Sequence, residues 1–312
     1  MIWIIGTGVI AQEYAKVLKN LGKEFIVVGR SGRNADTLKE LGAVDVISGG
    51  TDKYLANNPT QPEKAIVAVN LIELANVTKL LISYGIKDIL VEKPGFCNPT
   101  ELPSVIEFAK QNNTRVFLAY NRRCLASTLA AEKIIAEDGG VKSFSFEFTE
   151  WGHVIEKMDK PKHDLENWFY ANSSHVVDLA FFLGGQPKDM ACFTAGELIW
   201  HKPAVFAGSG VTVNGALFSY QANWASPGRW GVEILTSKHR LYLRPMEKLQ
   251  IQNIGSVALS DVELEDGLDK EFKPGFFLET KLFIEGNTSR LCSIEQQEKH
   301  VENAYKKMVA NN

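Results

Sequence analysis

The chain has 312 residues, a length that suits about two domains. Hydrophobic residues make up 45% and charged residues 23%, enough to build a sizeable core, and a net charge of −3 excludes the basic field that a nucleic-acid partner requires. No apolar stretch reaches the roughly 20 residues of a membrane span, and the opening Met1-Ile2-Trp3-Ile4-Ile5-Gly6 lacks the length and basic flank of a signal peptide. A cytoplasmic protein with no membrane partner is therefore expected. Cys97, Cys124, Cys192 and Cys292 form neither a CxxC pair nor zinc spacing, which predicts reduced thiols and no metal site.

Residues 2–5 read as a buried strand. Ala11, Tyr14, Ala15, Leu18 and Leu21 follow at helical spacing, and Gly22 is placed to end that helix. Further strands are predicted at 25–28, 44–47, 65–69, 89–91 and 116–120. Helices are predicted around 37–41, 74–84 and 100–111, the last with Thr100 as cap and Pro103 in the first turn. Residues 51–63, with two prolines, read as loop or irregular helix. Short apolar strands alternating with helices predict an α/β first domain, 1–120, built as a doubly wound parallel Rossmann sheet.

The pattern changes after residue 120. A helix at 126–137 is followed by period-two runs at 144–148, 211–213, 217–220 and 232–235, which predict a mainly antiparallel sheet. A helix at 175–183 is closed by Gly184-Gly185, and 294–309 reads as a charged amphipathic helix. The second domain, 121–312, is thus an α+β unit, with the last helix free to pack back on the first. Trp224 and Trp230 are candidates for packing between the sheets of two subunits.

Gly6-Thr7-Gly8-Val9-Ile10-Ala11 matches G-x-G-x-x-A between a strand and a helix, where free N–H groups face a pyrophosphate. Gly6, Thr7, Gly8, Val9 and Ile10 are the predicted phosphate contacts. The second strand ends in Gly29-Arg30-Ser31-Gly32-Arg33 instead of an acidic residue. Arg30 and Ser31 suit a 2′-phosphate, which favours NADP; Arg30 stacking on adenine or lying in solvent leaves NAD open. Asn70 and Glu92 follow two further strands and are assigned to the nicotinamide end.

Lys93, in Glu92-Lys93-Pro94, emerges at a strand's carboxyl end, where a lysine can polarise the oxygen of a reacting carbon. Pro94 predicts an extended Lys93 backbone. His175 offers an imidazole that titrates near neutrality and can exchange the accompanying proton, and Asp178 lies one helical turn on. The stretch from Trp151 to Trp168 is rich in aromatic and charged groups. It reads as a sugar-binding surface or, equally, as a solvated loop with core aromatics. Arg122 and Arg123 either reach the cleft or bind a carboxylate within the fold.

Gly6–Ala11, Val91-Glu92-Lys93-Pro94, Tyr120-Asn121-Arg122-Arg123 and Asn172-Ser173-Ser174-His175-Val176-Val177-Asp178-Leu179 occur in one order along the chain. Together they resemble the glucose–fructose oxidoreductase, inositol dehydrogenase and rhizopine catabolism (Gfo/Idh/MocA) family. The resemblance implies NAD(P)-dependent hydride transfer to or from a sugar, polyol or nucleotide-linked sugar by a homo-oligomer, a dimer or tetramer. It implies Lys93 and His175 as catalytic residues and a second domain, 121–312, for substrate binding and oligomerisation; Arg122, Trp168 and Asn172 are read as further substrate contacts beside Lys93 and His175. Two departures stand out. Many members carry an acid four residues before the histidine, where this chain has Ala171, and the fourth strand runs into Val69-Asn70-Leu71 in place of Thr-Pro. With no acid at 171, Asn172, Tyr170 or a water is left to orient His175. The alternatives are a reductase of another C=O or C=N compound and a catalytically silent dinucleotide sensor.

Overall fold

The computed structural model describes Met1–Ala310, and its contacts divide the chain into two units. One comprises Met1–Asn121 with Leu268–Glu298, the other Arg122–Gly267 with the segment from Lys299 onward. The sequence blocks 1–120 and 121–312 differ from this by the return of 268–298 to the first unit. The reason is apolar burial. The helix Phe276–Glu285 places Phe276 and Phe283 in the first unit's core, and Leu291 joins them.

The first unit alternates strand and helix: β1 (Ile2–Ile5), α1 (Val9–Asn20), β2 (Phe25–Val28), α2 (Ala35–Glu40), β3 (Asp45–Ile47), α3 (Thr51–Ala56), β4 (Lys64–Val67), α4 (Leu74–Ser83), β5 (Asp88–Glu92), α5 (Leu102–Gln111) and β6 (Arg115–Ala119). The sheet order is β6-β5-β4-β1-β2-β3, all parallel, with Cys292–Ser293 added antiparallel to β6. This is the doubly wound order, and it puts the carboxyl ends of all six parallel strands on one edge. β1, β2 and all of β4 after Lys64 are buried apolar runs, as a sheet covered on both faces requires. α1 turns Ala11, Tyr14, Ala15 and Leu18 inward at helical spacing. One expectation is corrected. Asn98, not Thr100, starts the helical turn before α5, accepting from Thr100 N while Glu101 Oε2 accepts from Asn98 N, a reciprocal cap.

The second unit holds α6 (Ala126–Glu137), β7 (Ser143–Glu147), α7 (Gly152–Ile155), α8 (Lys162–Glu166), α9 (Ser174–Gly184), β8 (Pro187–Ala195), β9 (Val205–Thr212), β10 (Leu217–Asn223), β11 (Gly231–Leu235), β12 (His239–Leu243), β13 (Gln250–Asn253) and β14 (Ser260–Asp261). Its eight-stranded sheet runs β14-β13-β12-β11-β7-β10-β9-β8, antiparallel except for the β7–β10 pair. One face is covered by α9. Phe181 meets Phe144, Phe146 and Phe218 edge-on, at centroid distances of 6.0, 5.6 and 5.2 Å.

Trp224 and Trp230 are buried inside this unit, which corrects their placement between subunits. Trp224 stacks on Trp200 at 5.6 Å, and Trp230 lies 6.2 Å from the His175 ring. The segment 294–309 is helical, with a π turn at Val301–Tyr305 between two α-helical pieces. Among the described residues no helix is long and apolar enough to cross a membrane.

Candidate functional site

In the first unit the turn after β1 is built for close approach. Gly6 has φ 123°, and a Cβ there would sit 2.1 Å from the Ala68 carbonyl oxygen, so only glycine fits. A Cβ on Gly8 would meet nothing within 4 Å, so this glycine faces open space. No described side chain caps α1, which leaves its first N–H groups directed at that space. Ala11 is fully buried and lets α1 lie close on the sheet. These features fit a dinucleotide pyrophosphate: a backbone cradle, unblocked, at a helix N-terminus. Asn34 Nδ2 donates to Thr7 O at 2.7 Å and ties the loop after β2 to the cradle.

Arg30 is exposed on that loop, with Nη1 3.5 Å from Glu73 Oε1. Ser31 is exposed beside it and accepts weakly from Arg33 N at 3.4 Å. Asn70 is exposed just beyond β4, and Val9 and Ile10 open α1.

Lys93 leaves the end of β5 and is held from both sides. Tyr14 Oη donates to Glu92 Oε1 at 2.8 Å; burial and the charges of Glu92 and Glu279 keep that phenol protonated, well above its usual range. On the other side Gln297 Nε2 donates to Pro94 O at 3.1 Å and contacts Tyr120 Oη at 3.0 Å. The Lys93–Pro94 peptide is cis. Gly6, Gly8, Asn70, Glu92 and Lys93 thus share the carboxyl edge of the parallel sheet.

In the second unit His175 is buried as the second residue of α9. Its neighbour Trp230 has the Arg229 guanidinium 4.9 Å and the Arg122 guanidinium 6.0 Å from its ring. Asn172 and Ser173, in the π turn Phe169–Ser173, both donate to Glu150 Oε1, at 3.0 and 2.7 Å. Glu150 is buried. Desolvation pushes its carboxyl up to about 7, against the pull of the Ser173 and Asn172 hydrogen bonds and the Arg229 charge. Among the expected substrate contacts, His175 and Arg122 both lie against Trp230, and Asn172 lies in the turn leading to His175. Trp168 instead packs edge-on against Trp200, 6.0 Å away.

Sequence reading missed Glu150, Arg229 and the placement of Trp230. A signal for Glu150 was present: Phe144, Phe146 and Phe148 alternate inward, and 150 is the next position of that series.

Arg123 takes the second of its two expected roles. Nε and Nη2 donate to the Asp178 carboxylate at 2.8 and 2.6 Å, with both side chains almost wholly buried. Asp178 therefore serves the fold through Arg123. His300 Nδ1 lies 3.5 Å from Asp178 Oδ1. Burial pushes His300 down to about 4; the Asp178 charge opposes this and the Arg123 charge adds to it.

The linkage sign follows from these values. Between about pH 4 and 6.5 the unfolded histidine holds a proton that the folded one does not, so stability rises with pH, by about 3 kcal/mol across the window. Glu150 has the opposite sign: protonated when folded up to about 7, it costs stability as pH rises from 4.5. The unfolding free energy of wild type minus that of His300→Phe should therefore climb by about 3 kcal/mol from pH 4 to 6.5 and then level. A flat difference across that window removes the assignment.

Residues 1–120 match the Gfo/Idh/MocA family model, an oxidoreductase family with an NAD-binding Rossmann fold. No curated protein matches the chain in sequence. Among solved structures, UDP-N-acetylglucosamine 3-dehydrogenase from Acidithiobacillus ferrooxidans is similar at TM-score 0.72 and 16% identity, covering 99% of this chain and 97% of its own. A levoglucosan dehydrogenase in complex with NADH and L-sorbose is similar at TM-score 0.76 and 15% identity, covering 100% and 99%. An Agrobacterium radiobacter oxidoreductase in complex with NAD+, L-tartaric acid and magnesium is similar at TM-score 0.77 and 14% identity, covering 98% and 95%. At such identities the likeness is one of fold, and it extends along nearly the whole chain. Over its first 120 residues the chain thus matches the NAD-binding Rossmann domain of the Gfo/Idh/MocA oxidoreductases.

Proposed function

We propose that this protein is a nicotinamide-dependent dehydrogenase or reductase of a sugar, polyol or nucleotide-linked sugar. The observation that carries the reading is Lys93, braced through Glu92 and Pro94 at the carboxyl edge of a sheet whose first turn is an open phosphate cradle. When bound, the nicotinamide supplies or accepts the hydride. Lys93 donates to the oxygen of the reacting carbon and favours its negative charge. His175 exchanges the proton on that oxygen, as an imidazole can near neutral pH. The aromatic and guanidinium groups of Trp230, Arg122 and Arg229 near His175 suit a sugar carrying an anionic substituent. The solved relatives named for UDP-N-acetylglucosamine and levoglucosan support that substrate class.

Two measurements test the cofactor half. Gly8→Ala should raise the Kd for NAD(P)H about tenfold, by filling space that the pyrophosphate needs. Its unfolding midpoint should hold, because φ at Gly8 is −77° and the new methyl meets no protein atom within 4 Å. Unchanged affinity would remove the cradle assignment. Arg30→Ala should weaken NADPH about tenfold more than NADH if the exposed guanidinium reads a 2′-phosphate. Equal loss for both cofactors would end the preference for NADP. The reaction itself is tested by following NAD(P)H absorbance with UDP-linked sugars, anhydrosugars, ketoses and polyols. Tight cofactor binding with turnover of none of them counts against the reading.

A further inference from the structure

The chain has alanine at 171, four residues before His175, where an acid would hold the imidazole from within the same helical turn. The structure places a carboxyl beside that turn by another route. β7 sends Phe144, Phe146 and Phe148 inward, and Glu150 is the next residue in that alternation, only 2% exposed. A buried carboxyl is costly unless its oxygens are paired. Here Oε1 accepts from Ser173 Oγ at 2.7 Å and from Asn172 Nδ2 at 3.0 Å. Both donors belong to the π turn Phe169–Ser173, and His175 follows two residues later. π turns leave the regular hydrogen-bond ladder and need outside support to hold one geometry.

We propose that Glu150 is the positioning carboxylate of His175, supplied from the segment just after β7 and acting through Asn172 and Ser173 in place of an acid at 171. The role given to His175 rests on the function proposed above. A neutral carboxyl accepts hydrogen bonds less strongly than a carboxylate, so the clamp is tightest when Glu150 is charged. Arg229 lies near enough to favour that charge, against the burial that pushes the carboxyl up to about 7.

The test uses the holoenzyme with NAD+ and a UDP-linked sugar, so that the sugar carbinol is oxidised as NAD+ takes the hydride, comparing wild type, Glu150→Gln, and Glu150→Gln combined with Ala171→Asp. Glu150→Gln is expected to lower kcat about tenfold or more, with KM and the Kd for NADH within about threefold. Ala171→Asp in that background is expected to restore at least about a third of the lost kcat. A wild-type kcat in Glu150→Gln overturns the proposal. So does a loss that comes with a lower unfolding midpoint and is not restored by Ala171→Asp.

A second arm needs no substrate. The His175 imidazole is titrated by NMR in isotopically labelled protein, wild type against Glu150→Gln. A shift of about half a unit or more supports the proposal, and superimposable curves overturn it. If wild type turns over no substrate at all, that result counts against the dehydrogenase reading alone, and the imidazole titration decides the fate of Glu150.

Discussion

Lys93→Met is expected to lower kcat/KM about a thousandfold, close to 4 kcal/mol of transition-state stabilisation. The argument starts from the order of the residues around it. Glu92 is pinned by the buried Tyr14 phenol, and Pro94 by the buried Gln297 amide. The backbone on either side of Lys93 is thus fixed by groups that have no chemistry of their own to perform. A donor whose anchor does not move pays little reorganisation when charge develops on the substrate oxygen. Methionine keeps the length and loses the ammonium. The side chain is only half-buried, so the unfolding midpoint should hold and NADH affinity should stay within about threefold. Lys93→Arg should fail to rescue, because a planar fork cannot take the place of a compact ammonium held by this geometry. Single-turnover measurement of hydride transfer separates the chemical step from product release. A variant that retains more than about a third of wild-type rate leaves Lys93 without a role in the reaction.

Much of the first unit can be read in the sequence because its signals are local. Buried parallel strands are continuous apolar runs such as Phe25–Val28, and G-x-G-x-x-A sits where strand gives way to helix. Residues 4 to 6 apart carry that information, so no distant contact is needed to see it. The second unit is less legible for a physical reason. β8 reads Pro-Lys-Asp-Met-Ala-Cys-Phe-Thr-Ala and lies at the sheet edge with most of its residues open to solvent, so it has no strong apolar alternation to betray it. The helix Phe276–Glu285 is apolar on a face that packs against α1, some 260 residues earlier, and nothing adjacent in sequence announces that partner.

The candidate site divides the same way. Gly6, Gly8, Lys93 and His175 stand out by residue type and spacing. Glu150 stands out only when the alternation of Phe144, Phe146 and Phe148 is carried on to 150, because a glutamate at a strand's end usually turns to solvent. The fold shows that it turns inward. Arg122 and Arg123, adjacent and identical in type, are separable only in three dimensions. One lies by Trp230, and the other is locked to Asp178.

That lock is the basis of the largest expected stability change. Arg123→Met should cost the second unit about 3–5 kcal/mol, read as the fall in unfolding free energy in urea. The two side chains are 2% and 0% exposed, and the guanidinium spans the carboxylate through two short hydrogen bonds. Removing the cation leaves Asp178 charged, dry and short of its donors, which is the expensive outcome. His300 cannot substitute without taking up a proton that its burial disfavours. Arg123→Lys should recover only part of the loss, since an ammonium makes no bidentate contact and forfeits the stacking of the guanidinium on Phe182, 4.9 Å away. The double variant Arg123→Met with Asp178→Leu should regain most of it, because no unpaired charge then remains. This contrast separates the penalty of an orphaned charge from the net worth of the pair. At an m-value of about 2 kcal/mol per molar, a 4 kcal/mol loss moves the urea midpoint by roughly 2 M. Asp178 lies one helical turn beyond His175 on α9, so the same substitution loosens the helix that carries the imidazole. A fall in kcat should accompany the fall in stability and return with the double variant. A single variant that loses less than about 1 kcal/mol would mean that water reaches Asp178 once the arginine is gone, and the pair would then be no anchor for His175.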